Sequence, residues 1–360
     1  MAALWVVGFH LVPLLGHIFE VNLDLIPVVR EGYLGVDIFF ILSGFILCHV
    51  YVSSFQQYGI REHVHFLMVR LARIYPLHVV VMLAFAIALW FVPGIASQNG
   101  YPRYTAPGFF IAILLLQNWY RYQLIWNGPA WSLSAEWLAY LVFPFLLIAT
   151  RWIKAARFAI ALAALSLGIL ALTFVASGHS IDATGKAGFA RLAGEFTAGA
   201  LINRAHNLGL PGRISWRWAN PIAATLLVAT LLYRPAVPFS VLLFGFLVFS
   251  LSMHEGRLSR ILSSRPMVFL GEISYSVYLV QSLLLELTTW YIKRYGMTSS
   301  GTSLGVAALL IILLLFVPIL TWRTVERPAR VIGRRLSNRL DTSLAHMKRI
   351  RWASSPADGE

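Results

Sequence analysis

The sequence predicts an all-α integral membrane protein, a polytopic bundle of about ten transmembrane helices with a short re-entrant segment. Of its 360 residues, 58% are hydrophobic and only 12% are charged, whereas soluble domains carry about 25% charged residues. The apolar residues form blocks of roughly 20, the length that crosses a hydrocarbon core of about 30 Å. Such blocks must be helical, because lipid offers no partners for free backbone groups.

The predicted spans are separated by short loops, so consecutive spans run in opposite directions. They cover approximately residues 2–18, 34–52, 76–92, 131–150, 158–176, 188–203, 219–233, 236–253, 267–291 and 304–322. Most of the 29 lysine and arginine residues fall in the C-terminal tail and in loops on the same side as the N-terminus. The positive-inside rule therefore predicts a multi-pass protein of the bacterial inner membrane with both termini in the cytoplasm. The same distribution explains the net charge of +14 without a nucleic-acid partner.

Two segments do not fit the pattern of simple spans. Residues 108–119 are apolar but too short to cross easily, and a crossing would move the basic residues of 151–157 outside. We interpret this run as a re-entrant or interfacial segment, with a short true span as the alternative.

The sequence divides into a transmembrane domain, 1–322, and a basic cytoplasmic tail, 323–360. Basic residues at helical spacing in the tail indicate an amphipathic helix on anionic lipid: Arg323, Arg327, Arg330 and Arg334.

Ionisable side chains within spans are costly and therefore mark candidate functional positions. His10 lies in the first span, and His17 follows seven residues later on the same face, with Pro13 between them. An imidazole titrates near physiological pH and is suited to general-base catalysis. The alternative is a histidine that hydrogen-bonds a neighbouring helix.

Two carboxylates enter their spans from the same side of the membrane. Asp37 begins the second span and Glu136 lies near the start of the fourth. Both could meet His10 at a similar depth and orient its ring or stabilise its charged form. The alternative is that these carboxylates form polar contacts between helices and have no catalytic role.

A basic pair lies at the opposite, cytoplasmic side. Arg70 and Arg73 are three residues apart on a predicted amphipathic helix and therefore share a face. Guanidinium groups bind phosphate well, so the pair suits an anionic ligand, although contact with lipid headgroups explains the spacing equally well. His63 and His65 alone do not make a metal site, and we expect no metal.

Seven blocks in order resemble the membrane-bound acyltransferase 3 family. They are FHL at 9–11, GVDIFFILSGFIL at 35–47, RLARIYPLH at 70–78, WSLSAEW at 131–137, RLAGEFTAGALI at 191–202, GEISYSVYLVQ at 271–281 and VERPAR at 325–330. The resemblance implies a ten-helix membrane O-acyltransferase that uses cytoplasmic acyl-CoA, commonly acetyl-CoA, as donor. Its implied acceptor is a hydroxyl of a cell-surface or exported glycan or of a glycoside.

The resemblance also implies roles for individual residues. His10 falls on the essential first-helix histidine, with Asp37 and Glu136 as further catalytic candidates. Arg70 and Arg73 fall on the pair associated with the acyl-CoA donor. Further matched positions are candidates for substrate binding: Trp131, Ser132 and Tyr275.

The sequence departs from the family pattern at two positions. The family arginine that precedes the first-helix histidine would fall before Met1, so we expect the native start to lie upstream. Gln281 stands where other members carry a histidine. An extracytoplasmic hydrolase-type domain is also not recognised, so a separate extracytoplasmic transferase is a candidate partner. A glycan or lipid transporter, or flippase, is the alternative function.

Overall fold

The structure, a computed structural model, is helical throughout the part of the chain that it describes. It describes residues 1–20, 26–95, 103–120, 125–178, 184–209, 218–253, 256–296 and 300–337. Within these ranges, eight helices are long and apolar enough to cross a membrane. The predicted polytopic helix bundle is thereby confirmed.

Eleven helices of eight or more residues organise the described chain. They are α1 (Ala2–Phe19), α2 (Gly35–Tyr51), α3 (Ile60–Phe91), α4 (Ala106–Ile113), α5 (Trp131–Thr150), α6 (Ala156–Ser177), α7 (Lys186–Leu208), α8 (Ala219–Leu232), α9 (Ser240–Met253), α10 (Arg265–Tyr295) and α11 (Ser300–Thr321). Shorter turns of helix lie between them at Pro27–Arg30, Gly32–Leu34, Gln117–Tyr120, Gly128–Ala130, Arg234–Phe239 and Arg257–Leu262.

Helices α7 and α8 account for the difference between ten predicted spans and eight long apolar helices. Helix α7 has 23 residues but carries Arg191 and Glu195 in its middle, and α8 has only 14 residues. Both coincide with predicted spans. Helix α4, inside the predicted re-entrant run, has only eight residues and reaches about 12 Å, less than half of a hydrocarbon core.

Two helices extend beyond their predicted spans on the basic side. Helix α3 begins at Ile60 and continues through Pro76, so the predicted amphipathic segment and the span form one helix of 32 residues. Helix α11 continues through a π-helical turn, Trp322–Glu326, and stays helical to Ser337. The helix therefore passes without a break across the predicted boundary at 322.

Helices α2 and α7 lie in unusually close contact. A Cβ atom on Gly44 would lie 2.0 Å from the Phe196 carbonyl oxygen, and one on Gly199 would lie 2.0 Å from the Ile41 carbonyl oxygen. The partner of each α2 residue is about 150 to 160 positions later in the chain, so the helices run in the same direction. This contact brings Asp37 on α2 beside Arg191 on α7.

Side-chain contacts define two ends of the bundle. At one end, Arg151 donates from both terminal nitrogens to the carbonyls of Gln56 and Val52; this is the arginine end, which also carries Arg70. At the other, the Asn118 amide exchanges hydrogen bonds with the backbone of Gly185. We call this second end the cavity end.

Candidate active site

A cavity of about 470 Å³ opens among the helices at the cavity end. Its walls combine aromatic rings, two arginines, a carboxylate and one histidine. The lining residues are Val6, Phe9, His10, Tyr33, Val36, Arg103, Gly128, Pro129, Trp131, Thr184, Arg191, Tyr278, Ser282, Leu285, Glu286 and Thr289. Its size and its few convergent polar groups are typical of small-molecule sites.

His10 is the imidazole of this cavity. It projects from α1 one turn before Pro13, and its ring packs edge-on against Phe9 with 5.1 Å between the centroids. Its Nδ1 atom is buried without a hydrogen-bond partner among the described residues. The Gln281 side chain lies beside it. His10 is among the residues that line the cavity, so its ring can meet a ligand there.

Asp37 lies behind the cavity wall and holds Arg191 in place. The Arg191 Nε and Nη2 atoms donate to the two Asp37 carboxylate oxygens at 3.0 and 2.8 Å. The same guanidinium lies over the Trp131 ring, 5.3 Å from its centroid. The bidentate pair thus fixes both a cation and an indole at the cavity surface.

Sequence reasoning missed a second ion pair in the cavity. Arg103 Nη1 contacts Glu286 Oε1 at 2.7 Å, and the Tyr104 hydroxyl donates to the other carboxylate oxygen. The two chain segments are about 180 residues apart, so no local pattern joins them. Gly128 makes room for the pair, because a Cβ atom there would lie 2.8 Å from Arg103 Nη2.

The loop that carries Arg103 is held by several hydrogen bonds. The Trp126 backbone N–H donates to the Arg103 carbonyl at 3.3 Å. The Asn127 amide donates to the Leu279 carbonyl on α10 at 3.1 Å, and the Gln117 amide to the Ala130 carbonyl at 2.7 Å. The arginine therefore enters the cavity from an anchored segment.

Two of the three predicted substrate-binding residues lie at or beside the cavity. Trp131 lines it directly. Ser132 lies beside it, with its hydroxyl 2.7 Å from the Tyr278 hydroxyl and 3.2 Å from the Pro129 carbonyl. Ser132 therefore positions Tyr278, which does line the cavity.

Glu136 and Tyr275 lie deeper in the bundle, outside the described cavity lining. Glu136 accepts hydrogen bonds from Ser43 at 2.8 Å and from Tyr140 at 2.7 Å. It is five residues beyond Trp131 on α5, about 7.5 Å along the helix axis. The Tyr275 hydroxyl donates to the Ile74 carbonyl of α3. The structure thus places His10 and the Asp37–Arg191 pair together but Glu136 apart from them.

The predicted donor arginines lie at the arginine end and face different partners. The Arg70 guanidinium lies over the Tyr51 ring at 5.2 Å and donates to its hydroxyl at 3.2 Å, while its buried Nε has no partner among the described residues. Arg73 lies close enough to Glu326 and Arg330 for their charges to interact.

Arg330 belongs to this cluster, although its spacing in the sequence indicated contact with lipid. The π-helical turn buries Glu326, which accepts a hydrogen bond from Ser276 at 2.7 Å and lies 3.5 Å from Arg330. A Cβ atom on Gly333 would lie 2.1 Å from the Ala72 Cβ. The end of α11 therefore packs on α3 beside the arginine pair, with Arg334 also near Arg330.

The remaining histidine candidates are arranged differently. His17 is exposed on α1 and is not among the described residues that line the cavity with His10. His63 is buried against Tyr58, whereas His65 is partly exposed. Within the described ranges, no group of three or more potential metal ligands comes together.

A family model described as an acyltransferase domain, that of the acyltransferase 3 family, matches residues 1–323. The chain belongs to this family. It is therefore a multi-pass membrane O-acyltransferase, and six of the seven blocks recognised in the sequence lie within the matched residues.

Two similar proteins are also named as acyltransferases. Acyltransferase MdmB of Streptomyces mycarofaciens is 27% identical over 313 residues, 80% of this chain and 75% of that protein. Peptidoglycan O-acetyltransferase OatA of Listeria monocytogenes is 25% identical over 338 residues, 84% of this chain. The alignment spans only 52% of that enzyme's length. Protein 2 in the picA locus of Rhizobium radiobacter is 36% identical over 118 residues, 29% of this chain and 61% of that protein. No solved structure matches the chain.

Proposed function

We propose that the protein transfers an acetyl group from cytoplasmic acetyl-CoA to a hydroxyl of a glycan or glycoside bound in the cavity. The arginine end faces the cytoplasm of a bacterial inner membrane, and the cavity end faces outward. The observation that carries the proposal is an imidazole that lines a cavity, joined to a cluster of arginines by polar side chains inside the bundle.

This polar column follows one face of α5 and its neighbours. From the cavity it passes Ser132 with Tyr278, then Glu136, then Tyr140. Tyr140 lies close enough to Arg70 and Arg73 for their charges to interact. The nine residues from Trp131 to Tyr140 span about 14 Å along the helix. A donor whose phosphates bind the arginines would have to extend a narrow polar arm inward over that distance, as the pantetheine of coenzyme A can.

Phosphate binding is the chemistry that the arginine end supports best. Arg70 and Arg73 are joined there by Arg330, and a guanidinium fork binds phosphate oxygens with charge-assisted hydrogen bonds. We expect the three to hold the phosphate groups of the donor. No metal is needed for this role or for the transfer.

His10 is the proposed general base. The imidazole takes the proton of the acceptor hydroxyl as its oxygen attacks the thioester carbonyl. The carbon–sulfur bond breaks, and the coenzyme A thiolate leaves and receives a proton. The products are an O-acetyl ester and free coenzyme A.

A covalent acetyl-His10 intermediate is the competing route for the same overall reaction. Incubation with labelled acetyl-CoA in the absence of acceptor separates the two. Direct transfer predicts no label on the protein, whereas label that chases into added acceptor would establish the covalent route.

The acceptor assignment is supported by the cavity walls. Trp131, Tyr33 and Tyr278 offer aromatic faces and hydroxyls of the kind that pack on and hydrogen-bond a sugar ring. One relative carries the name of a peptidoglycan O-acetyltransferase. An extracytoplasmic transferase that receives the acyl group is a further candidate partner of the chain.

The test is acetyl transfer from radiolabelled acetyl-CoA in membranes that contain wild type, His10→Ala or His17→Ala at equal protein level. We expect His10→Ala to lose transfer by at least about a hundredfold, the size of a general-base contribution. His17→Ala, the matched change at an exposed position two turns later on the same helix, should retain it. Equal activity of the two variants would contradict the role of His10.

The alternative function, transport of a glycan or lipid, predicts a different effect of deleting the protein. Family membership favours the enzyme. If cells that lack the protein export their glycans normally but without O-acetyl groups, transport is rejected as the primary function. Loss of export itself would favour the transporter.

A further inference from the structure

The charged side chains that line the described part of the cavity occur in pairs. Arg103 lies 2.7 Å from Glu286, and their side chains are only 20% and 15% exposed. Arg191 lies 2.8 Å from Asp37, with exposures of 1% and 0%. Each cation thus has a carboxylate of its own before any ligand enters.

The geometry points to a neutral acceptor: we infer that the cavity selects a hydroxylated sugar that carries no carboxylate, sulfate or phosphate near its reacting hydroxyl. The inference rests on the proposed function and names the acceptor class that the proposal leaves open. An uncharged ring would keep both ion pairs intact and bring no charge of its own.

An anionic sugar would meet an unfavourable cavity. Its carboxylate would have to give up water in exchange for a guanidinium that already serves Glu286 or Asp37. Either the ligand charge or a protein carboxylate would then be left buried without a partner, which is costly.

A third carboxyl group, that of Glu195, adds no charge to the described surface of the cavity. Glu195 is fully buried on α7, close enough to Asp37 and Arg191 to interact with both. It is not among the described lining residues.

The Arg103–Glu286 pair also has capacity for a neutral ligand. A carboxylate has about four lone-pair positions, so Glu286 can accept from sugar hydroxyls while it binds Arg103 and Tyr104. The Arg103 guanidinium has five N–H donors and its side chain is 20% exposed, so it can also donate to a ring or hydroxyl oxygen. The pair can therefore hydrogen-bond sugar hydroxyl groups while it disfavours the binding of anions.

The test is equilibrium binding to the purified full chain in lipid nanodiscs, measured by calorimetric titration without acetyl-CoA. The probes are methyl glycosides of glucose, galactose and N-acetylglucosamine, each compared with its counterpart oxidised to a 6-carboxylate. We expect wild type to bind at least one neutral glycoside about tenfold or more tightly than its carboxylate form.

A charge change at the pair should alter this preference. Glu286→Gln leaves Arg103 without its carboxylate, so the preference should shrink or reverse. Glu272→Gln, the same change on an exposed part of the same helix near the arginine end, should leave it unchanged. If Glu286→Gln does not fold, the wild-type preference still decides.

Equal or tighter binding of the carboxylate forms would overturn the inference, and so would no binding of any neutral glycoside. Because donor and transfer are absent from this experiment, its outcome is separate from that of the proposed function. A protein that binds neutral sugars but never acetylates them would contradict the function and not the selectivity.

Discussion

Arg191 and Asp37 illustrate how a single charged pair can organise a site inside a membrane protein. Both side chains are essentially inaccessible, and two parallel hydrogen bonds join them. Neither ion would tolerate this depth alone. Their pairing positions the Arg191 guanidinium and the Trp131 ring at the cavity wall.

The first prediction concerns the stability that this pair provides. Asp37→Leu leaves the Arg191 charge buried and should destabilise the protein by about 3–5 kcal/mol. The double variant Asp37→Leu, Arg191→Met replaces both ions by apolar groups and should be more stable than the single variant. Thermal unfolding in detergent measures both. A double variant less stable than Asp37→Leu would contradict the idea that an unpaired charge causes the loss.

The second prediction concerns Arg330. Its removal should take a charge-assisted hydrogen bond, about 1.5–3 kcal/mol, from the donor phosphates and raise the KM for acetyl-CoA by about ten- to a hundredfold. Arg335→Ala, an exposed arginine five residues later, is the matched control and should change KM little. Steady-state transfer kinetics with varied acetyl-CoA decide this. A fall in kcat without a change in KM would show that Arg330 does not bind the donor.

Sequence patterns identified some residues of the site and could not identify others. His10 and Asp37 stood out because ionisable groups are rare inside spans. The Arg103–Glu286 pair was missed, because Arg103 lies in a connecting segment far from Glu286 in the sequence, and only the tertiary fold brings them together. Arg330 was assigned to lipid, because helical spacing does not show which face of the tail packs against α3.

Among the elements, the contact between α2 and α7 determines the position of the site. Gly44 and Gly199 allow the two backbones to touch, as small residues do between membrane helices. Because the helices are parallel there, Asp37 and Arg191 meet one to two turns closer to the N-terminal ends of both helices. The close contact and the ion pair therefore depend on each other.

The third prediction tests that dependence. Gly199→Ala places a methyl group 2.0 Å from the Ile41 carbonyl oxygen, so the helices must separate. We expect a lower melting temperature and impaired transfer. Gly168→Ala on α6 is the control, because a Cβ atom there meets nothing within 4 Å. That variant should be neutral or slightly stabilising, since alanine favours helix. Equal effects of the two changes would argue against a close packing role.

Helix positions were well predicted by apolar runs, and helix ends less so. The fourth span was predicted at 131–150 and is observed at Trp131–Thr150. The third was predicted to begin at 76, but the helix starts at Ile60, because Pro76 is accommodated inside it. Hydropathy reports the part that crosses lipid, whereas the helix continues into polar sequence for as long as packing supports it.

At the scale of the whole molecule, the chemistry is divided between two ends of one bundle. The side chains proposed to bind the donor phosphates gather at the arginine end, and His10 lies in the cavity at the other. The polar column between them passes through a structure whose outer surface exposes large apolar side chains, such as Ile312, Leu315 and Phe316 on α11. This division is what an enzyme needs if its donor and acceptor are on opposite sides of a membrane.

The most direct test of this division is transfer in sealed vesicles of defined orientation, because acetyl-CoA does not cross a membrane. Inside-out vesicles expose the proposed cytoplasmic face. Labelled acetyl-CoA added outside them should acetylate acceptor enclosed within, and right-side-out vesicles should be inactive until opened. Transfer only from the face that bears the cavity, or equal transfer from either face, would contradict the account.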